Sequence, residues 1–243
     1  MKAYVNSGTA FAVQLLVFLL ILPTQAQTRH RPPAGGLIAI VVDERLSALR
    51  SSPDLSGRLL QRITRGRFVA IKARRVTADG VVFYFVKVTR RTRGWIQKES
   101  IVSPAIRSDD ASLWTLIKSS QDFERLARAK IFIDTFPRSP LRAKVLLLLA
   151  ETAEVSAAKL SREAARRLDQ IPPGGASLSS YFLNYSGLDR YNRQGVRFVF
   201  DTEARKFHYD GWAWREVLIR HSRSPEAGEA RKRLAALQMA SSH

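Results

Sequence analysis

VVFYFVKVTRRTRGWIQ, residues 81–97, decides how the first half of this 243-residue chain folds. Aromatic and β-branched residues fill Val81–Val88 and recur at Trp95–Gln97, with turn residues from Arg91 to Gly94 between them. That is the pattern of two strands joined by a short connection. Side chains alternate along a strand, so Tyr84, Val86 and Val88 share one face and Phe83, Phe85 and Lys87 the other. One face packs inward. The other shows two phenylalanines, which either meet a ligand or are covered by a later part of the chain.

The same pattern extends outward from this stretch. Strand-like runs at Leu37–Val42, Leu59–Ile63 and Phe68–Ala73 are separated by turn signals at Pro53-Asp54, Arg65-Gly66 and Asp79-Gly80. Five short strands in about 65 residues predict a small barrel. A Pro/Gly segment, Arg31-Pro32-Pro33-Ala34-Gly35-Gly36, precedes it as a linker. After Ser103-Pro104 the apolar period shifts from two towards 3.6, which predicts helices. They fall at Ala111–Ser119, Asp122–Thr135, Pro140–Ile171, Leu178–Tyr185, Gly211–His221 and Pro225–Met239, with a break at Pro172-Pro173-Gly174-Gly175. Arg138-Ser139-Pro140 and Arg223-Ser224-Pro225 each place Ser to cap a helix and Pro at its first position. The recurrence is the mark of a repeated unit.

The first half resembles the bacterial SH3-like (SH3b) domain over roughly residues 37–104. The resemblance rests on Ala48-Leu49-Arg50-Ser51-Ser52-Pro53, Ser56-Gly57-Arg58-Leu59, Ile63-Thr64-Arg65-Gly66, Phe83 to Val88, and Arg93-Gly94-Trp95-Ile96 followed by Ser100-Ile101. Phe83 stands where the family usually has Trp, and Leu49 where it usually has Val. The resemblance implies a wall- or peptide-binding module, although Phe83 in place of the family's Trp removes the contact that the Trp would make; from the alternation itself, Phe83 and Phe85 beside Arg50 and Trp95 are the candidates for a shallow peptide- or glycan-binding groove. Phe136-Pro137-Arg138-Ser139-Pro140 with Ala143 and Leu146 to Ala150, and Ser224-Pro225-Glu226-Ala227 with Ala230, Leu234 and Leu237, resemble tetratricopeptide-like helical pairs, in which small residues let helices approach closely. The intervening stretch follows no regular 34-residue period. The expected fold is thus α+β in two domains: a small SH3-like β-barrel at 37–104, then a mainly α-helical region at 111–243 with helical-hairpin character.

Residues 1–26 have the form of a secretory signal peptide, with Lys2, an apolar run from Ala10 to Leu22, and Thr24-Gln25-Ala26 before the expected cleavage between Ala26 and Gln27. Residues 27–36 follow as the linker. The apolar run is short of the roughly 20 residues that cross a bilayer, so an uncleaved signal is the one expected membrane contact. The chain contains no cysteine, which excludes disulfides, thiolate metal sites and a lipid-bearing cysteine. A periplasmic or secreted location follows.

The formal charge is +19, with a net +11 in residues 27–106 and +7 in residues 107–243. A basic surface attracts polyanions. Export removes nucleic acid as the partner and leaves anionic envelope polymers, lipid head groups or acidic wall-peptide groups; bulk Arg content and solubility are the plain alternative.

Residues 181–214 carry 10 of the 22 aromatic residues. Tyr185, Arg190, Tyr191, His208, Asp210 and Trp212 are the candidates for a second, sugar- or peptide-holding cleft there, although such clusters more often fill a core. Phe207-His208-Tyr209-Asp210 offers an imidazole beside a carboxylate, the elements of a general acid or base. No nucleophile elbow, zinc-binding His pair or phosphate-cradling Gly loop accompanies it. The sequence therefore points to a non-catalytic envelope protein, without cofactor or metal, that binds a wall or protein ligand. The alternatives are a wall hydrolase targeted by the barrel and a basic polyanion binder.

Overall fold

The alternation read in residues 81–97 organises a seven-stranded antiparallel sheet. A computed structural model describes residues 35–169 and 177–240, without the side chains of 238–240. The expected signal peptide, its cleavage point at Ala26 and Gln27, most of the linker and the Pro172–Gly175 break lie outside the described residues. The strands are β1 Leu37–Val41, β2 Ala48–Arg50, β3 Leu59–Arg62, β4 Phe68–Val76, β5 Val82–Lys87, β6 Arg93–Gln97 and β7 Ile101–Val102. Their spatial order is β3-β2-β6-β5-β4-β1-β7. Among the described residues no ladder joins β3 to β7, so hydrogen bonding leaves the sheet open instead of closing it into a ring. The short strands β2 and β7 were not separable from their flanking loops by periodicity, since three and two residues are too few to show alternation.

Helices follow: α1 Asp109–Lys118, α2 Asp122–Thr135, α3 Arg142–Leu168, α4 Leu178–Leu183, α5 Asp189–Asn192, α6 Trp212–Arg220 and α7 Glu226–Ala240. Between α5 and α6 lies a hairpin, β8 Phe198–Asp201 and β9 Lys206–Tyr209, where the sequence offered only irregular structure. Its turn carries no Gly or Pro. Asp201 makes it instead, its Oδ1 accepting the backbone N–H groups of Glu203 and Ala204 at 2.9 Å each, while Arg205 takes the left-handed conformation at φ 50°.

β1 divides two cores. Ala39 and Val41 point to one side of the sheet, into a core with Leu49, Val69, Tyr84, Val86 and Ile96. Ile40 and Val42 point the other way and join Val102 in a core built from Leu126, Phe132, Leu146, Leu149 and Leu160 of the helices. The period of two thus welds sheet to helices with one strand. The helices stack in chain order, α1 on α2, α2 on α3, α3 on α6 and α6 on α7.

The two Ser-Pro turns have the same wiring. Phe136 and His221 each donate their backbone N–H four residues back, to Phe132 and Val217, at 2.8 Å. Ser139 and Ser224 then donate to the carbonyls of Phe136 and His221 and accept from Arg142 and Ala227. Regular helix begins after the prolines, at Arg142 and Glu226, because a turn closed on Ser139 and Ser224 comes first. The expected serine caps differ: Ser139 Oγ accepts the Leu141 N–H, whereas Ser224 Oγ is buried and has no hydrogen-bond partner among the described residues.

A buried ionic seam also joins sheet to helices. Arg128 of α2 donates from Nε to the Val42 carbonyl (3.1 Å) and from Nη1 to Ser120 Oγ (2.6 Å), and its Nη2 lies 3.4 Å from Asp43. Hydrogen bonds from Arg45 hold the Asp43 carboxyl below its ordinary range, with Arg128 adding to the effect. Arg65, in the turn before β4, pairs with Glu124 of α2 at 2.8 Å. Ser103 fastens the next corner, its N–H bonding Asp109 Oδ2 (2.8 Å) and its hydroxyl the Ile38 carbonyl (2.6 Å).

Candidate binding site

Cross-strand register assembles the site on the sheet's outer face. Trp95 of β6 pairs with Phe85 of β5 on one side and Arg50 of β2 on the other. Arg50 in turn opposes Leu59 of β3, and Phe85 opposes Ala73 of β4. Directly opposed residues share a face, so Phe85, Trp95 and Arg50 form one row across three strands; register shifts beside Ala73 and at Leu49/Arg50 interrupt it at β4 and β3. Phe85 and Trp95 meet edge to face with centroids 5.3 Å apart, and both stay half-buried. Their opposite-face neighbours Tyr84, Val86 and Ile96 fill the sheet's core.

Gly94 sets the spacing of this row. A Cβ there would come within 2.7 Å of the Arg50 carbonyl and 2.9 Å of Leu49 Cγ, so any larger residue would force β2 away from β6. Arg50 is tied down as well, donating from Nη1 to the Gly57 carbonyl at 2.7 Å. It therefore holds the loop before β3 in place besides lending charge to the face. The row is flanked by Lys87 and Arg93, which face each other across β5 and β6. Like charges directly opposed repel, and an anion between them removes the repulsion.

Of the four residues expected to touch a ligand, three lie together on this surface and one does not. Phe83 is fully shielded, at 0% exposure, while its pair partner Gln97 is half-buried. The expectation of a Phe83 surface contact is corrected accordingly: alternation puts Phe83 on the outer face, but burial withdraws it from solvent. Leu55 and Leu59 are each 49% exposed, which no local signal in the sequence indicates. Leu59 falls in a strand predicted from the sequence, and only the sheet order shows that this strand is an edge.

The second group disperses. Tyr185 and Tyr191 are buried in the helical core with Phe182, Phe207, Tyr209 and Trp214. Phe182 stacks on Phe200 at 4.1 Å and meets Phe207 at 5.6 Å. Arg190 lies over the rings of Tyr191 (4.8 Å) and Phe123 (5.3 Å). Trp212 packs partly buried against the same core. Asp210 accepts the Trp212 N–H at 2.9 Å, just ahead of Gly211, the residue that opens α6. His208 approaches Asp201 across the hairpin at 3.8 Å, and so is not wired to Asp210 as an acid–base pair. His208 alone of the six lines the cavity of about 540 Å³ between α3, β9 and α7, with Glu154, Ser161, Arg162, Lys206 and Arg233. Burial raises the Tyr209 phenol, whose oxygen accepts the Ala213 N–H, so it remains neutral and structural.

Among the described residues no group of His, Cys, Asp and Glu is placed to hold a metal ion, and no helix is long and apolar enough to cross a membrane. Comparison with protein-family models finds no matching family, and comparisons with curated proteins and with solved structures likewise find no match.

Proposed function

We propose that this chain is an exported, non-catalytic envelope protein whose SH3b-like sheet binds a peptidoglycan or envelope-protein ligand and whose tetratricopeptide-like helices act as a scaffold. The observation that carries it is the Phe85–Trp95–Arg50 row: an aromatic pair left half-buried beside a guanidinium is the surface that holds a peptide or glycan. The repeated wiring of the two Ser-Pro turns supports the helical-hairpin part. Binding in place of catalysis is supported by the partners of His208 and Asp210, which put each of them to other use.

The unrelieved Lys87–Arg93 pair favours a ligand that is anionic, such as an acidic wall peptide or a wall polymer. Co-sedimentation of the protein with peptidoglycan sacculi across a salt series tests both statements. The parent protein should sediment at moderate salt and Trp95→Ala should stay in solution. Parent protein that neither sediments nor captures an envelope protein sinks the proposal. Binding abolished by salt yet untouched by Trp95→Ala would assign the effect to bulk charge.

A further inference from the structure

The cavity of about 540 Å³ between α3, β9 and α7 has the size of a small-molecule site. Short side chains open it: Ala157 and Ala158 on α3, and Ala236 on α7. On its β9 wall Phe207 and Tyr209 are buried, while Lys206 is exposed. The polar groups of the inner wall are already committed. Ser161 Oγ donates to the Ala157 carbonyl and accepts the Phe207 N–H, each at 2.8 Å. The Tyr209 oxygen accepts the Ala213 N–H at 2.9 Å. Water there finds few free partners, so the interior favours apolar atoms.

The rim differs from the interior. Glu154 is the only acid among the described lining residues, and it is spoken for: it accepts the Trp214 indole N–H at 3.1 Å and lies 3.6 Å from Arg233. Arg233 in turn binds Glu229 at 2.7 Å, which leaves the α7 side of the rim balanced. Arg162, one turn along α3 from Ala158, and Lys206 make no side-chain hydrogen bond or ion pair among the described residues. An apolar interior under two uncommitted cations selects a ligand of matching polarity. We propose that this cavity binds a small carboxylic acid with an apolar body, its carboxylate held by Arg162 and Lys206 and its body lying against Ala157, Ala158, Phe207 and Tyr209. A guanidinium presents paired donors that fit a carboxylate, and an ammonium adds a point charge. The site is formed by the helical half and is independent of the function proposed for the sheet's outer face.

The test is an NMR titration of the purified protein with octanoate, beside octanamide, which has the same chain and no charge. Amide shifts should centre on Ala158, Ser161 and Phe207. Octanamide should bind about tenfold more weakly, the loss of one hydrogen bond to a charged group. In a protein carrying Arg162→Gln and Lys206→Gln, both at exposed positions, the two probes should bind alike. Ala158→Trp fills the cavity from an exposed helix position and should abolish binding of both. No octanoate binding by the parent overturns the proposal, as do equal affinities of the parent for octanoate and octanamide. Neither result depends on a variant folding. Shifts centred outside the cavity, or octanoate binding unchanged by Ala158→Trp, overturn it as well. Trp95→Ala should leave octanoate binding intact; loss of octanoate binding in that variant would move the acid to the sheet and overturn the cavity. Sacculus binding without octanoate binding removes only the cavity, and the converse removes only the function of the outer face.

Discussion

Two aromatic groups in this chain are candidates for a site, and they meet opposite fates. The dense one, in residues 181–214, became core: Phe182, Tyr185, Tyr191, Phe207, Tyr209 and Trp214 are all buried. The sparse one, Phe85 with Trp95, stayed at the surface beside Arg50. The difference follows from what surrounds them. Short elements such as α4, α5, β8 and β9 bury little backbone-anchored area each, so bulky rings must fill the space between them and α3. The sheet fills its core from one face, which leaves alternate residues such as Phe85 and Trp95 half-exposed where no later segment covers them.

The strongest way to break this comparison is Phe182→Ala. A fully buried ring stacked on Phe200 should cost about 4 kcal/mol, measured by denaturant unfolding. A loss as small as that of a surface ring would mean that the 181–214 cluster is not core. Next is Arg128→Met, which leaves Asp43 buried without its helix-borne partner and should cost about 3 kcal/mol. Its pH dependence sharpens the point. Asp43 has a folded pKa below its unfolded value, so its contribution is present above about pH 4 and is lost as pH falls through the folded pKa. Stability of Arg128→Met should therefore fall less steeply than the parent's on acidification below that range.

Trp95→Ala should cost only about 1 kcal/mol of stability, as a half-buried ring, while abolishing ligand binding. A cost equal to that of Phe182→Ala would move Trp95 into the structural class. The smallest effect belongs to Asp109→Asn. Burial raises the Asp109 carboxyl above its ordinary range despite the Ser103 N–H that it accepts. The ionised form thus weakens the fold at neutral pH, and the amide keeps the acceptor. A slight rise in melting temperature at pH 7 that vanishes at pH 3 is expected; a fall at pH 7 would show that the charge itself serves the first turn of α1.

Much of the architecture was legible in the sequence. Helix α2 falls at Asp122–Thr135 as predicted, and the five longer strands sit within a few residues of their predicted runs, because each shows enough alternation or helical period to be read locally. Hairpin β8–β9 was not legible, since its turn depends on one aspartate and a left-handed arginine in place of Gly or Pro. The site was legible in part. Arg50, Phe85 and Trp95 were named from short motifs, but nothing in the order of residues says that they share a row, since register depends on which strands become neighbours.

Local chemistry therefore determined the secondary structure, the change of period after Pro104, the basic character and the two Ser-Pro turns. Tertiary structure decided exposure. Phe83 and Phe85 lie two residues apart on the same face, yet one is shielded and the other half-open. Alternation assigns a side chain to a face; only the arrangement of distant segments over that face determines whether water reaches it. The same holds for β3, whose sequence reads as an ordinary strand and which becomes an open edge only because β2 pairs on one side of it and no described strand on the other.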